Sequence, residues 1–169
     1  MIPKNEYSPY FGLYIKPIEQ MGLSFLEALE ESQNKFDNTL KNLPKEKQNY
    51  AYANGKWTVK EVIQHIIDTE RVFCYRALSI ARNDSTELPG FNQDTFVAFD
   101  NSSERIYNDL LEEMQIVRQS SILLFKSFTQ EALERVGIAS NNKISVRAIG
   151  LILSGHQTHH LKILEERYL

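Results

Sequence analysis

Three of the four histidines in this chain lie in one short segment, GHQTHH, at residues 155–160. His156 and His160 are four residues apart, so on a helix their rings project from the same face, one turn from each other. Two imidazoles at that spacing can bind one metal cation. The fourth histidine, His65, lies far upstream in QHIIDTE. A site of three histidines therefore requires a fold that brings His65 to the last helix.

Three neutral imidazoles from two helices would leave one or more coordination positions open, which is typical of a catalytic metal rather than a structural one. A divalent ion there could lower the pKa of a bound water, polarise a carbonyl or hold a thiolate. The alternative interpretation is that the histidines are core residues satisfied by hydrogen bonds. His159 is rotated about 60° around the helix from His156, so we expect it at the edge of the apolar stripe.

The periodicity of apolar residues predicts four long helices and almost no strand. The first predicted helix has its apolar stripe over residues 26–40 and ends before Pro44. The second begins after Thr58, where TVKE predicts a capping box, and ends at the turn-forming residues ARNDST. The third and fourth predicted helices cover about residues 103–128 and 145–169. These helices must position the histidines.

Four amphipathic helices in a chain of this length most simply form an all-α four-helix bundle. We expect a single domain over residues 1–169, with an aromatic strap in residues 1–20. A long crossover at residues 83–102 allows the second and third helices to run parallel while the fourth runs antiparallel to the second. His65 near the start of the second helix and His160 near the end of the fourth would then lie at the same level.

Other residues near the histidines have less specific roles. Glu70, Arg71 and Arg76 are expected mainly to form salt bridges between helices, and Asp68 either orients a ligand or faces solvent. Trp57, just before the Thr58 cap, is expected to act as the first residue of a hydrophobic staple. None of these residues stands out as a general base.

Composition excludes several classes of protein. The net charge of −3 and the scattered basic residues give no positive field for nucleic acid. The single cysteine, Cys74, cannot form an internal disulfide, and we expect it to be a packing residue. The N-terminus lacks the pattern of a secretory signal, and no apolar run is long enough to cross a membrane. We therefore expect a soluble, cytoplasmic protein.

Four stretches carry a family resemblance: YFGLYI, GKWTVKEVIQHIIDTERVFCYRAL, LPGFNQDTFV and ISVRAIGLILSGHQTHHLKILEERYL. In these stretches, over essentially its whole length, the chain resembles the DinB family of small four-helix proteins. The resemblance implies a bundle in up-down-down-up order. It also implies a metal held by one histidine of the second helix and two of the last helix, here His65, His156 and His160.

The resemblance further implies a homodimer with a divalent transition metal, for which we expect zinc or nickel. The activity implied is that of a metal-dependent thiol transferase or hydrolase that acts on a small molecule. A thiol transferase would also bind a low-molecular-weight thiol. The alternative hypothesis is a metal-free or vestigial DinB-like bundle that works as a small-ligand binding or interaction protein.

Overall fold

The computed structural model describes residues 2–169, and this part of the chain contains eight α-helices, three short 3₁₀ turns and one β-hairpin. The helices are α1 (Gly12–Gln20), α2 (Phe25–Leu40), α3 (Lys45–Gln48), α4 (Val59–Ala81), α5 (Gln93–Ala98), α6 (Tyr107–Lys126), α7 (Gln130–Glu134) and α8 (Val146–Arg167). The strands are β1 (Val136–Ala139) and β2 (Asn142–Ser145), and the 3₁₀ turns are Lys4–Glu6, Pro9–Phe11 and Ser102–Glu104. Helices α2, α4, α6 and α8 are the four that the sequence predicts, and they pack as a bundle.

Helices α4 and α6 run parallel, an arrangement that the predicted crossover allows. The salt bridge between Arg71 and Glu113 (2.7 Å) lies before the hydrogen bond between Cys74 and Ser121 (3.1 Å) along both helices. Residues 82–106, which include α5, return the chain to the end of the bundle where α4 began.

Helices α2 and α8 run parallel to each other and antiparallel to α4. Phe25 at the start of α2 lies against Gly150 near the start of α8, and further along Gln157 donates a hydrogen bond to Gln33 (2.9 Å). The beginning of α4, with His65, lies beside the second half of α8. This completes the predicted up-down-down-up order.

The buried apolar side chains form two clusters, one at each end of the bundle. Along α8 the first cluster ends at Leu153 and the second begins at Leu161. The segment between them is mostly polar, yet residues 154–157 are buried. Buried polar groups are costly unless they have partners, so this segment is where a functional site is expected.

The capping box predicted at the start of α4 is confirmed. The Thr58 hydroxyl accepts a hydrogen bond from the Glu61 backbone N–H (3.2 Å), and the Glu61 carboxylate accepts one from the Thr58 N–H (2.6 Å). Two otherwise unpaired donors of the first turn are thereby satisfied. The box fixes where α4 begins, and so fixes the depth of His65 in the bundle.

The third bundle helix begins later than predicted. Residues 102–104 form a 3₁₀ turn, Arg105 is extended, and α6 starts only at Tyr107. The Ser102 hydroxyl donates to Asp100 (2.7 Å) and so stabilises a local turn instead of capping a helix. Ile106, which falls within the predicted third helix, is therefore outside the helix and 66% exposed.

The periodicity of apolar residues does not predict the β-hairpin that precedes α8. Each strand has only four residues, too few for a clear alternation. Ser140 and Asn141 form the two-residue turn with φ of 53° and 60°, the positive values of a type I′ hairpin turn. The hairpin leads directly into α8, whose first turn is capped by the Ser145 hydroxyl.

The N-terminal segment, expected to be an aromatic strap, contains two 3₁₀ turns and α1, which lies along α8. The two helices approach most closely at Gly155, where a Cβ atom would lie 2.1 Å from the carbonyl oxygen of Tyr14. Only glycine permits this contact. Within residues 2–169, no helix combines the length and the apolar composition needed to span a membrane.

Candidate metal centre

Three histidine side chains from α4 and α8 meet inside the bundle. The Nε2 atom of His156 lies 3.1 Å from that of His65 and 3.1 Å from that of His160. All three ligand atoms lie within 4.8 Å of one another. His65 and His160 therefore lie at the same level of the bundle, as predicted from their positions along the helices.

Burial keeps all three imidazoles neutral. It lowers the pKa of His65 to about 4 and the pKa of His160 to about 3. The pKa of His156 is also well below its ordinary value, first because of burial and then because of the other two histidines. The neutral imidazole is the form that binds a metal ion, so this donor set is ready for a metal at neutral pH.

The distances fit a divalent metal better than they fit hydrogen bonding alone. Two nitrogen ligands at about 2.0–2.1 Å from a tetrahedral metal lie about 3.3 Å apart, close to the two distances of 3.1 Å. The ligand atoms of His65 and His160 lie within 4.8 Å of each other, so a small rotation of the two rings is enough for them to share one ion. Without a cation, the Nε2 atom of His156 carries either one proton or one lone pair. It therefore forms a good hydrogen bond with only one of the two Nε2 atoms beside it, those of His65 and His160.

Aromatic rings surround the three histidines. Trp57 lies with its ring centroid 4.8 Å from that of His65 and 6.5 Å from that of His160. Tyr14, from α1, packs edge-on against His156 at 5.5 Å and His159 at 5.7 Å. Trp57 also packs on the apolar cluster around the start of α4, as a staple residue would. Both rings therefore restrict the orientation of the imidazoles.

An open cleft of about 420 Å³ leads to His65 and His156. Phe91 and Gln93, from the crossover, line it, so the crossover lies over the histidine end of the bundle. The negative charge of Asp94 also reaches His65 and raises its pKa against the effect of burial. Asp94 and the cleft depend on the path of a loop, and no sequence signal could have identified them.

Two of the charged residues on α4 pair between helices, as predicted. Glu70 forms a buried salt bridge with Arg118 (2.8 Å), and Arg71 pairs with Glu113 (2.7 Å). Asp68 accepts a hydrogen bond from Gln64 on its own helix (2.9 Å) and does not join the histidines.

Three other predicted residues have different outcomes. Arg76 forms no salt bridge in the described part of the chain, contrary to expectation, and lines the cleft instead. Burial raises the pKa of Cys74 to about 11, and its thiol donates to Ser121, which fits the predicted packing role. His159 is half-buried beside His160, at the edge of the site as predicted.

The lowered histidine pKa values predict a pH-dependent stability for metal-free protein. Between pH 6.5 and about 4 the unfolded chain takes up protons that the folded chain excludes from His65, so stability falls as pH falls. At 1.36 kcal/mol per pKa unit, His65 alone accounts for roughly 3 kcal/mol across this window. Urea unfolding at pH 7 and pH 4 with a chelator present measures the loss. In a His65→Gln variant the free energy of unfolding should depend less on pH. An equal pH dependence in the two proteins would contradict the lowered pKa of His65.

Sequence comparisons relate this chain to one family of proteins. The model of the DinB superfamily matches residues 28–164. A protein of Oceanobacillus iheyensis, named "putative metal-dependent hydrolase OB0413", is 24% identical over 139 residues, which cover 81% of this chain and 79% of the relative.

Two solved structures from Bacillus subtilis share the fold. One is YfiT, described as a probable metal-dependent hydrolase with an unusual four-helix bundle topology. The two structures match with a TM-score of 0.75 at 16% sequence identity, and the match covers 98% of this chain and 90% of YfiT. The other is the DinB-like protein YjoA, with a TM-score of 0.60 at 17% identity over 86% of this chain and 90% of YjoA. Since the family model spans most of the sequence and the bundle has the same architecture, the chain belongs to the DinB superfamily.

Proposed function

We propose that this protein is a metal-dependent hydrolase of a small molecule, with His65, His156 and His160 as the ligands of a divalent metal. The observation that carries the proposal is the convergence of the Nε2 atoms of three neutral imidazoles, two of the distances being 3.1 Å, with His65 and His156 on the wall of an open cleft. The names of YfiT and the Oceanobacillus relative, both of which refer to a metal-dependent hydrolase, support it.

When bound, a divalent ion on three neutral ligands keeps its full positive charge, so it can polarise a carbonyl, lower the pKa of a water or hold a thiolate. The chain's own residues supply the surroundings. Trp57 and Tyr14 hold the imidazoles in place and reduce the access of bulk water. Asp94 lies on the side of the site that Trp57 and His160 line, and its negative charge reaches His65.

Thiol transfer is the second candidate, and the donor set favours it. No carboxylate or thiolate belongs to the three-histidine group among residues 2–169, so a bound metal would attract an anionic sulfur strongly. In hydrolysis, water adds across the scissile bond. In thiol transfer, the sulfur bonds to the electrophilic carbon of the substrate, and the leaving group departs with the electron pair of the broken bond.

The two reactions can be separated by product analysis. Protein loaded with zinc or nickel is incubated with a panel of small esters, amides and alkyl halides, with and without cysteine as the thiol, and the products are identified by mass spectrometry. We expect turnover that disappears on chelation and returns with metal. Products that carry cysteine would assign thiol transfer. A metal-loaded protein with no turnover on any substrate would favour the binding-protein alternative.

A further inference from the structure

The cleft beside the three histidines has a buried arginine on its wall that has no carboxylate partner. Arg76 is 2% exposed and lines the cleft together with His65 and His156. Its Nη2 group donates to the carbonyl oxygen of Pro89 and to the Ser140 hydroxyl, both at 2.8 Å. No salt bridge of the described residues includes it, whereas the other deeply buried arginine, Arg118, is paired with a carboxylate.

Most of the hydrogen-bonding capacity of Arg76 is unused. Its Nε and Nη1 groups donate to no protein acceptor in residues 2–169, and they are not sealed from solvent in the way that Thr69 Oγ1 is. The guanidinium lies 4.7 Å from the ring centre of Phe73 and 5.7 Å from that of Phe91. Cation–π contacts recover only part of the cost of burying a charge. An anion in the cleft would supply the rest.

The arginine is held in position from two sides. Pro89 belongs to the crossover, and Ser140 belongs to the hairpin turn, where it has a φ of 53°. A positive φ is uncommon for serine, and here it accompanies the hydrogen bond between its hydroxyl and Arg76. The guanidinium is thus fixed before any ligand arrives, as a binding group should be.

The cleft runs along one face of α4. Thr69, Phe73 and Arg76 follow His65 by four, eight and eleven residues, which are spacings of a single helix face. Eleven residues correspond to about 16 Å along the axis. A ligand that reaches from the histidines to Arg76 must therefore be elongated.

We propose that the cleft binds an elongated small molecule with an anionic group, which Arg76 receives, at the end opposite to the reactive group. The inference rests on the proposed function only for the reactive end at the histidines, because the anion site itself needs no metal. The anion is a carboxylate or a phosphate, two groups that share the charge and the acceptor oxygens that arginine recognises.

Binding to metal-free protein tests this inference separately from the metal. Hexanoate and hexanamide have the same length and differ in charge, so calorimetric titration with each measures the contribution of the anion. We expect hexanoate to bind at least about tenfold more tightly, from charge-assisted hydrogen bonds. This preference should disappear in Arg76→Met and partly return in Arg76→Lys.

Arg82→Met is the matched control, since Arg82 is an exposed arginine that contacts the Phe128 ring just after the same helix ends. It should keep the full preference. Equal affinities for acid and amide in the parent protein would overturn the inference, even if Arg76→Met failed to fold. Competition of phosphate or of acetate with hexanoate then shows whether the site prefers a phosphate or a carboxylate. Displacement of hexanoate by either anion supports the site. A protein that binds hexanoate but no metal would contradict the proposed function and leave the anion site standing.

Discussion

Replacing His160 by alanine should abolish stoichiometric metal binding. We expect the parent protein to hold about one equivalent of zinc or nickel per chain and the variant to hold none after dialysis, because two imidazoles cannot complete the site. The same result is expected for His65→Ala and His156→Ala. Metal content per chain, measured by mass spectrometry on protein purified without a histidine tag, gives the answer directly.

His159→Ala is the control for this experiment. His159 lies on the same helix and beside His160, but its ring is outside the three-histidine group, so the variant should retain the metal. Stoichiometric metal in His160→Ala would count strongly against the assignment. Thermal unfolding adds an independent measurement, since a metal at a thousand times its dissociation constant stabilises the folded state by about 4 kcal/mol. An unfolding temperature insensitive to metal and chelator would favour the metal-free alternative.

Glu70→Gln should lower the free energy of unfolding by about 3–5 kcal/mol. Both Glu70 carboxylate oxygens accept hydrogen bonds from Arg118 at 2.8 Å, and both side chains are at most 2% exposed. The substitution would leave the Arg118 charge buried without an anion. The expected loss is a large share of the 5–15 kcal/mol typical of a folded protein, and urea unfolding followed by circular dichroism measures it.

A surface ion pair provides the comparison. Glu30 and Lys126 lie 3.5 Å apart between α2 and α6, and both side chains are about half exposed, so Glu30→Gln should cost less than about 1 kcal/mol. The double variant Glu70→Leu with Arg118→Met removes both buried charges together and should recover much of the stability lost in Glu70→Gln. A loss for Glu70→Gln no greater than that for Glu30→Gln would contradict the importance of this buried pair.

The features that sequence could predict are those fixed by helical periodicity and local capping. The four-residue spacing of His156 and His160 places two rings on one face, and the Thr58 capping box fixes the depth of His65. An antiparallel packing of α4 and α8 then brings the three together. The family resemblance led to the same residues. The homodimer, the single domain and the cytoplasmic location stay predictions.

The features that sequence could not predict depend on loops and on contacts between distant segments. Asp94 lies near the histidines and Arg76 is held at the far end of the cleft because of where the crossover and the hairpin turn pack, and neither loop has a periodic pattern. Tyr14 reaches His156 because Gly155 lets α1 lie directly on α8, a contact between residues far apart in the chain. Such placements follow from tertiary packing, which periodicity does not describe.

The position of Trp57 has a practical consequence. It is the only tryptophan in the sequence, and its ring lies 4.8 Å from His65 and 6.5 Å from His160. Intrinsic fluorescence excited at the red edge of aromatic absorption therefore originates within contact distance of the histidines. Open-shell ions such as nickel quench nearby indole emission, whereas closed-shell zinc does not. Trp57 fluorescence should therefore report which ion binds to the three histidines, without an attached label.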